Sequence, residues 1–276
     1  MLTPINRLQM GEYAAMFIQD FCSFLSLESH NYGRLLTVNN QHLLELLKYD
    51  NRNLCYELEK DFNQVATILL LYGKAYVEII TVKSKSGELG NISFRILNTG
   101  HAKKIGDFVH FSAQTLEKEE VQFFIQARNL IEFDLKDLGF KRKYFARLIA
   151  KMNKLDLPTE LLESHDFDIT IYSQKVEKQL LKINKRTHWF GRNYKNQYMN
   201  DAYLLYRIMC FKELQWKFFK YIVSKYNEAL AALSKSEDIQ GQIVIQETVP
   251  EFNDYYIKLN EGQINFEQLT NLLYHS

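Results

Sequence analysis

Proline, glycine and cysteine are all scarce, at 3, 11 and 3 of 276 residues. So few chain breakers exclude collagen-like repeats and proline-rich linkers, and they leave long stretches free to run as helix. The three cysteines, Cys22, Cys55 and Cys210, are odd in number and far apart. That excludes a disulfide-framed miniprotein and suits small buried hydrophobes in a reducing compartment. A long apolar run is also missing: the longest, Val65 to Tyr72, is too short to cross a bilayer. The N-terminus lacks the basic segment and small-residue cleavage site of a secretory leader. The expectation is a soluble, intracellular chain with no membrane partner. Nor does one sign of charge prevail, since 34 Lys and Arg face 33 Asp and Glu for a net +1. Total charge therefore gives no argument for nucleic acid or an anionic surface. With 46% hydrophobic and 14% aromatic residues the chain can bury one large core or two small ones, which excludes disorder.

The first apolar pattern is helical. Leu8, Ala15, Phe17, Ile18, Phe21, Phe24 and Leu25 form a face from about Arg7 to Glu28, and residues 29–33 (SHNYG) supply a stop. A second helix carries Leu43, Leu44, Leu46 and Leu47 behind an Asn39 or Asn40 cap. A third carries Leu54, Leu58, Phe62, Val65 and Leu69 and ends at Gly73. From Lys74 the period drops to two and β-branched residues dominate, which predicts a strand. Residues 84–90 read as a hairpin into Ile92, Phe94 and Ile96. Further strands are expected at Asp107–Phe111, Val121–Ile125 and Asn129–Asp134. Helix resumes near Phe140, and the longest helix runs from Asp201 to about Leu233. It carries one stripe through Leu204, Ile208, Phe211, Phe218, Ile222, Tyr226 and Leu230 and another through Leu205, Met209, Trp216, Phe219 and Val223. A strand at Gly241–Val249 and a helix at Asn265–Tyr274, capped by Asn265, close the chain. The fold class predicted is α+β, helix-rich with a small central antiparallel sheet. Its regions are a helical 1–73, a β region 74–134, a basic helical 135–240 and an acidic 241–276.

The neutral total hides a polarity along the chain. Residues 135–195 hold 14 Lys or Arg against 7 Asp or Glu, whereas residues 235–276 hold 2 against 7. Within the basic part Lys175, Lys178, Lys182, Lys185, Arg186, Arg192 and Lys195 recur near helical spacing, with Trp189, Phe190, Tyr194 and Tyr198 interleaved. Such a stretch can hold phosphates and stack bases on its rings; a solvated helix face whose aromatics belong to the core is the commoner reading, since charge runs on helices are common and these rings cluster at one end.

Catalytic signatures are faint. Asp134-Leu135-Lys136 at a strand end, with Asp107 earlier, has the acid-x-Lys form that some Mg²⁺-dependent nucleases use, two carboxylates holding the metal and the lysine steadying water. An exposed strand end explains the same residues. His101 and His110 have no cysteine partners at zinc-site spacing, so no metal is expected. His165-Asp166-Phe167-Asp168 reads as a capping loop, with Asp166 or Asp168 as the cap, and Gly87-Glu88-Leu89-Gly90 as a hairpin in place of a dinucleotide or phosphate loop.

The run Leu69-Leu70-Leu71-Tyr72-Gly73-Lys74-Ala75-Tyr76-Val77-Glu78-Ile79-Ile80 resembles the stretch of tailed-phage portal proteins in which an apolar helix ends in glycine and passes into a strand. The order of helices, small β region and later long helix is similar too, as is the late segment Leu259 to Ile264 with Phe266-Glu267. The chain is shorter than most portals and has no clear clip or crown segment. The resemblance implies a structural protein of a phage or prophage head, in the virion or host cytoplasm, without catalysis or cofactor. It would form a homo-oligomeric ring that passes double-stranded DNA and meets other head or packaging proteins. Lys178, Lys182, Lys185, Arg186 and Arg192 would then touch DNA, and Trp216, Phe219 and Val223 would face a neighbouring subunit. The alternatives are the Mg²⁺-dependent nuclease using Asp107, Asp134 and Lys136, or a soluble helix-rich interaction protein.

Overall fold

The computed structural model describes residues 10–22, 36–47, 54–85, 87–97, 102–114, 120–155, 168–191, 200–237, 239–245 and 252–269. The predicted 29–33 stop, Leu8, Phe24 and Leu25 lie outside them. The fold is helix-rich with small antiparallel sheets and a long helix late in the chain. Two compact units are each assembled from separated stretches: Met1–Asn6, His30–Tyr144 and Phe218–Thr248 in the first, Arg7–Ser29, Phe145–Lys217 and Val249–Ser276 in the second. The long helix contributes to both.

In the first unit, β1 (Leu36–Val38) leads to α2 (Gln41–Leu46), after α1 (Glu12–Cys22) of the second unit. Asn40 caps α2, its side-chain oxygen accepting from the N–H groups of His42 and Leu43 at 2.9 and 3.2 Å. The next helix, α3 (Leu54–Tyr72), is uninterrupted by glycine or proline and ends at Gly73, which takes φ +78° and turns the chain directly into β2 (Lys74–Lys83). A tight turn follows, with Ser84 N–H donating to Glu88 O at 2.7 Å, and β3 (Leu89–Leu97) returns along β2. After β4 (Ala102–Ile105), β5 (Phe108–Gln114) and β6 (Glu120–Gln126) comes β7 (Leu130–Asp134), paired to the other edge of β2.

The expected single sheet is thus two three-stranded ones, ordered β3-β2-β7 and β4-β5-β6. β4 was not anticipated, because Ala-Lys-Lys-Ile offers almost no apolar alternation; its pairing with β5 creates it. Tyr76 and Leu97 meet Val109, Phe111 and Ile125 in one cluster, so the second sheet buries one face. Its opposite face leaves Ile105, Phe108 and Phe124 exposed.

The second unit holds α1, α4 from Phe145 onward (Tyr144–Met152 in full), α5 (Ile169–Ile183), the first half of α6 (Asp201–Glu237) and α7 (Phe252–Asn260). Helix α1 buries Ala14, Phe17 and Phe21, and Ala15 is exposed, one position off the predicted face. Phe17 and Phe21 pack against Phe145 at 6.4 and 5.9 Å between ring centres. Helix α7 was not predicted. Asn265 and Gln268 exchange backbone and side-chain bonds at 2.9 and 2.8 Å, a capping box at the start of the last expected helix. β8 (Ile243–Ile245), which begins two residues after the predicted start at Gly241, pairs with β1 in the first unit; the rest of the predicted strand lies outside the described residues.

At 37 residues α6 is about 55 Å long. Both of its apolar stripes are used within the chain. In the first unit Tyr226 is fully buried, with Phe62 of α3, Phe94 of β3 and Phe133 of β7 at 4.7, 4.7 and 5.9 Å. Trp216, Phe219 and Val223, expected to face a neighbouring subunit, are 8%, 0% and 6% exposed. A helix with apolar residues all round needs more than one partner, and these three side chains are already covered within the chain. No described helix is long and apolar enough to cross a membrane. Neither Cys22 nor Cys210 is in a disulfide.

Two predictions follow from the first unit. A Cβ on Gly73 would overlap the Arg142 carbonyl, whereas one on Gly139, at φ +81°, would meet open space. Gly139→Ala should lose about 1–2 kcal/mol in urea unfolding from the left-handed backbone alone, and Gly73→Ala clearly more; equal losses would contradict the close approach. Burial of Glu59 on α3 pushes its carboxyl up to about 7 from an ordinary 4.5. A raised acid favours the native state below the unfolded value and loses that contribution as pH rises through the folded one. Glu59→Gln should therefore raise the urea midpoint at pH 8 and leave it nearly unchanged at pH 4.5.

Candidate nucleic-acid interface

Helix α5 begins where Asp168 turns its carboxylate back onto the N–H groups of Thr170 and Ile171, at 2.8 and 3.2 Å, as one of the two expected caps. His165 and Asp166 lie outside the described residues. Val176 and Leu180 are the buried positions of α5. The cations Lys175, Lys178 and Lys182 stand three and four residues apart on its exposed side, and exposed Lys185 and Arg186 follow in the next turn. Four of the five residues expected to touch DNA are therefore solvent-facing; the fifth, Arg192, lies outside the described residues, as do Tyr194, Lys195 and Tyr198.

The turn after α5 is wound around one side chain. Arg207, on α6, is 2% exposed, and its guanidinium donates to the carbonyls of His188, Asn184 and Trp189 at 3.0, 3.3 and 3.2 Å. It also donates to the Tyr203 hydroxyl at 3.3 Å. Asn184 ends α5, where the carbonyl dipoles favour a cation, and its carbonyl also accepts the His188 N–H at 2.8 Å; the His188 and Trp189 carbonyls come from the turn beyond. Asn184 accepts from Thr187 Oγ1 at 2.8 Å, and both are fully buried. His188 takes φ +62°, and burial, followed by the Arg207 charge, holds its imidazole below the ordinary value.

Winding the turn inward settles which aromatics are available. Trp189 and Phe190 are 3% and 5% exposed, Trp189 donating to Asp20 Oδ2 at 3.0 Å and meeting Phe17 edge-on. They are closed to a ligand, as in the reading of this stretch that gives its aromatics to the core. Two rings outside both apolar stripes are exposed in their place: Tyr203 and Tyr206, 44% and 50%. Their planes lie 21° apart with centres 6.2 Å apart; Arg207 lies 5.8 Å from the Tyr203 ring, and His188 meets Tyr206 edge-on at 5.4 Å. Position relative to the stripes was the available signal.

The acid-x-Lys residues have structural work in the first unit. Asp134 Oδ1 accepts the Lys136 N–H at 3.1 Å and so starts a short 3-10 turn. Its Oδ2 accepts from Arg142 Nε at 2.8 Å, and Lys74 Nζ lies 3.8 Å away. Burial pushes this carboxyl up, but Arg142, the Lys136 N–H and Lys74 outweigh it and leave the group below its ordinary value. Tyr221 accepts from the Asp134 N–H at 2.9 Å and donates to Asp137 Oδ2 at 2.7 Å; burial is the leading cause of its raised phenol. Asp107 lies in the turn between β4 and β5, in the other sheet, and Lys136 is exposed. Among the described residues no group of three or more His, Cys, Asp or Glu side chains is placed to hold a metal ion.

Comparison with protein-family models gives no match, and no curated protein sequence matches the chain.

Arg207→Met should destabilise the protein by about 2 kcal/mol or more in urea, since the His188 and Trp189 carbonyls lose the Arg207 donor at about 1–3 kcal/mol each, while the Asn184 carbonyl keeps the His188 N–H. A midpoint equal to the parent would show that Arg207 does not hold the turn.

Proposed function

We propose that the chain is a non-catalytic, helix-rich interaction protein that grips the phosphate backbone of nucleic acid, duplex DNA included, with the exposed cations of α5 and the turn after it. The observation that carries this reading is the sorting of side chains between Lys175 and Phe190. Every Lys and Arg there is exposed, while Val176, Leu180, Trp189 and Phe190 are buried. Cations on one exposed stripe of a helix can meet successive phosphates and release their counterions, a term that needs no base recognition.

A narrower form of the same reading is a portal-like ring of a phage or prophage head, meeting other head or packaging proteins. The Gly73 junction, where α3 passes without a loop into β2, and the 37-residue α6 favour it. In such a ring the contacts between copies would come from exposed surface, because Trp216, Phe219 and Val223 are taken up inside the chain. The Mg²⁺-nuclease alternative has less support, since Asp134 is already held by Arg142, Lys74 and the Lys136 N–H.

The deciding experiment titrates a labelled 30-base-pair duplex of mixed sequence from low to moderate salt, with light scattering on the same samples. The triple variant Lys178→Gln/Lys182→Gln/Lys185→Gln should make the slope of log affinity against log salt shallower by about 2–3, at about 0.9 per phosphate contact. An unchanged slope would remove the backbone reading. A closed high-order oligomer supports the ring, and a monomer in every condition rejects it.

A further inference from the structure

Beside the phosphate-binding cations the second unit carries a feature that duplex binding does not need. Tyr203 and Tyr206 sit in the first turns of α6, on the side away from buried Leu205, Ile208 and Met209, and stay about half exposed although each has a large apolar ring. Both are pinned. The Tyr203 hydroxyl accepts from Arg207 at 3.3 Å, and the Tyr206 ring is braced edge-on by His188. Exposed tyrosines fixed on a helix lose little side-chain freedom when something lies down on them, so they can stack at small entropic cost. Arg207 connects them to the basic turn, since the guanidinium that holds the Tyr203 hydroxyl also holds the carbonyls of Asn184 and His188, the residues flanking Lys185, Arg186 and Thr187. An aromatic platform on α6 and two exposed cations on the turn are therefore presented by two segments that Arg207 links.

We infer that Tyr203 and Tyr206 form a stacking platform for unpaired bases, with Lys185 and Arg186 holding the adjoining phosphates, so that the preferred partner is single-stranded nucleic acid or an unpaired stretch within a duplex. A peptide or lipid surface would satisfy the rings or the cations separately. A single strand offers π-faces and phosphates side by side at short repeat, which is the combination displayed here. Double-stranded DNA keeps its bases stacked inside and offers these rings nothing, so the platform adds to strand binding alone. This inference rests on the backbone reading above and specifies its partner.

The test uses fluorescence anisotropy with labelled 20-nucleotide oligo(dT) and a 20-base-pair duplex, on the full chain at one moderate salt. The parent should bind the single strand more tightly than the duplex. Tyr203→Ala/Tyr206→Ala should weaken strand binding by about tenfold or more and leave duplex affinity within twofold. Tyr203→Phe/Tyr206→Phe, which keeps both rings, should bind the strand like the parent, and its far-UV melt checks that the hydroxyls are not what holds the fold. Unchanged strand affinity in the Ala pair, with the duplex still bound in a salt-dependent way, overturns the platform and leaves the backbone reading standing. Equal losses on strand and duplex also overturn it, because the rings would then only be supporting the basic turn. Binding of neither nucleic acid overturns both.

Discussion

The second unit depends on a buried cation. Taking a guanidinium out of water costs several kcal/mol unless its donors are satisfied, and Arg207 satisfies them with backbone carbonyls and one phenol oxygen. One carbonyl, that of Asn184, belongs to the residue that ends α5 and the other two to the turn beyond it, so the same bonds that stabilise the arginine hold that turn against α6. Much follows from that placement. Residues 184–190 can close on Arg207 only with Asn184 and Thr187 buried beneath and Trp189 and Phe190 in the core. Lys185 and Arg186, between those buried positions, then point to solvent.

A comparable economy governs the first unit. Gly73 joins α3 to β2 without a loop, and Tyr226 of α6 is met by rings from α3, β3 and β7, so one phenol ring ties the helix to both outer strands of the sheet. At the far edge Asp134 is shared between a strand end, a 3-10 turn and the Arg142 guanidinium. A carboxylate with that many donors is held ionised and rigid, qualities that suit a joint as well as a metal ligand. Spacing alone could not separate the two; the direction of Arg142 and Tyr221 does.

Local pattern carried a good part of this architecture. The caps at Asn40 and Asp168, the break at Gly73 and the two-residue period of β2 are signals within a few residues of one another, and the structure follows them. Long-range pairing carried the rest. β4 and the β1–β8 pair are strands because of their partners, and α7 has a weak apolar face. The division of 74–134 into two sheets is set by which strand meets β2. The site divided along the same line. Lysines at helical spacing announced an exposed stripe, but whether an aromatic nearby faced in or out depended on Arg207, which in sequence is one more charged residue on a long helix. Trp189 and Phe190, for which both a stacking and a core role were open, are core; Tyr203 and Tyr206, which belong to neither stripe, are surface.

The two components assigned to the interface differ in physical character, and that difference gives the arrangement its meaning. Attraction to phosphates is long-ranged, weakened by salt and indifferent to base pairing. Stacking on a tyrosine is short-ranged, nearly insensitive to salt and open only to a base that has left its pair. In a chain whose total charge is close to zero, the first component cannot come from the molecule's overall field and has to come from a local tract, which α5 and its turn provide. On the proposed reading the cations would bring a strand of any sequence against the surface, and the rings would afterwards retain the portion that is unpaired. Arg207, bonded to the Tyr203 hydroxyl on α6 and to the carbonyls of the basic turn, would keep base-holding and phosphate-holding groups at a fixed spacing. A loop free to move would have to be ordered at each binding event, and the cost of ordering it would consume much of what one stacked ring contributes.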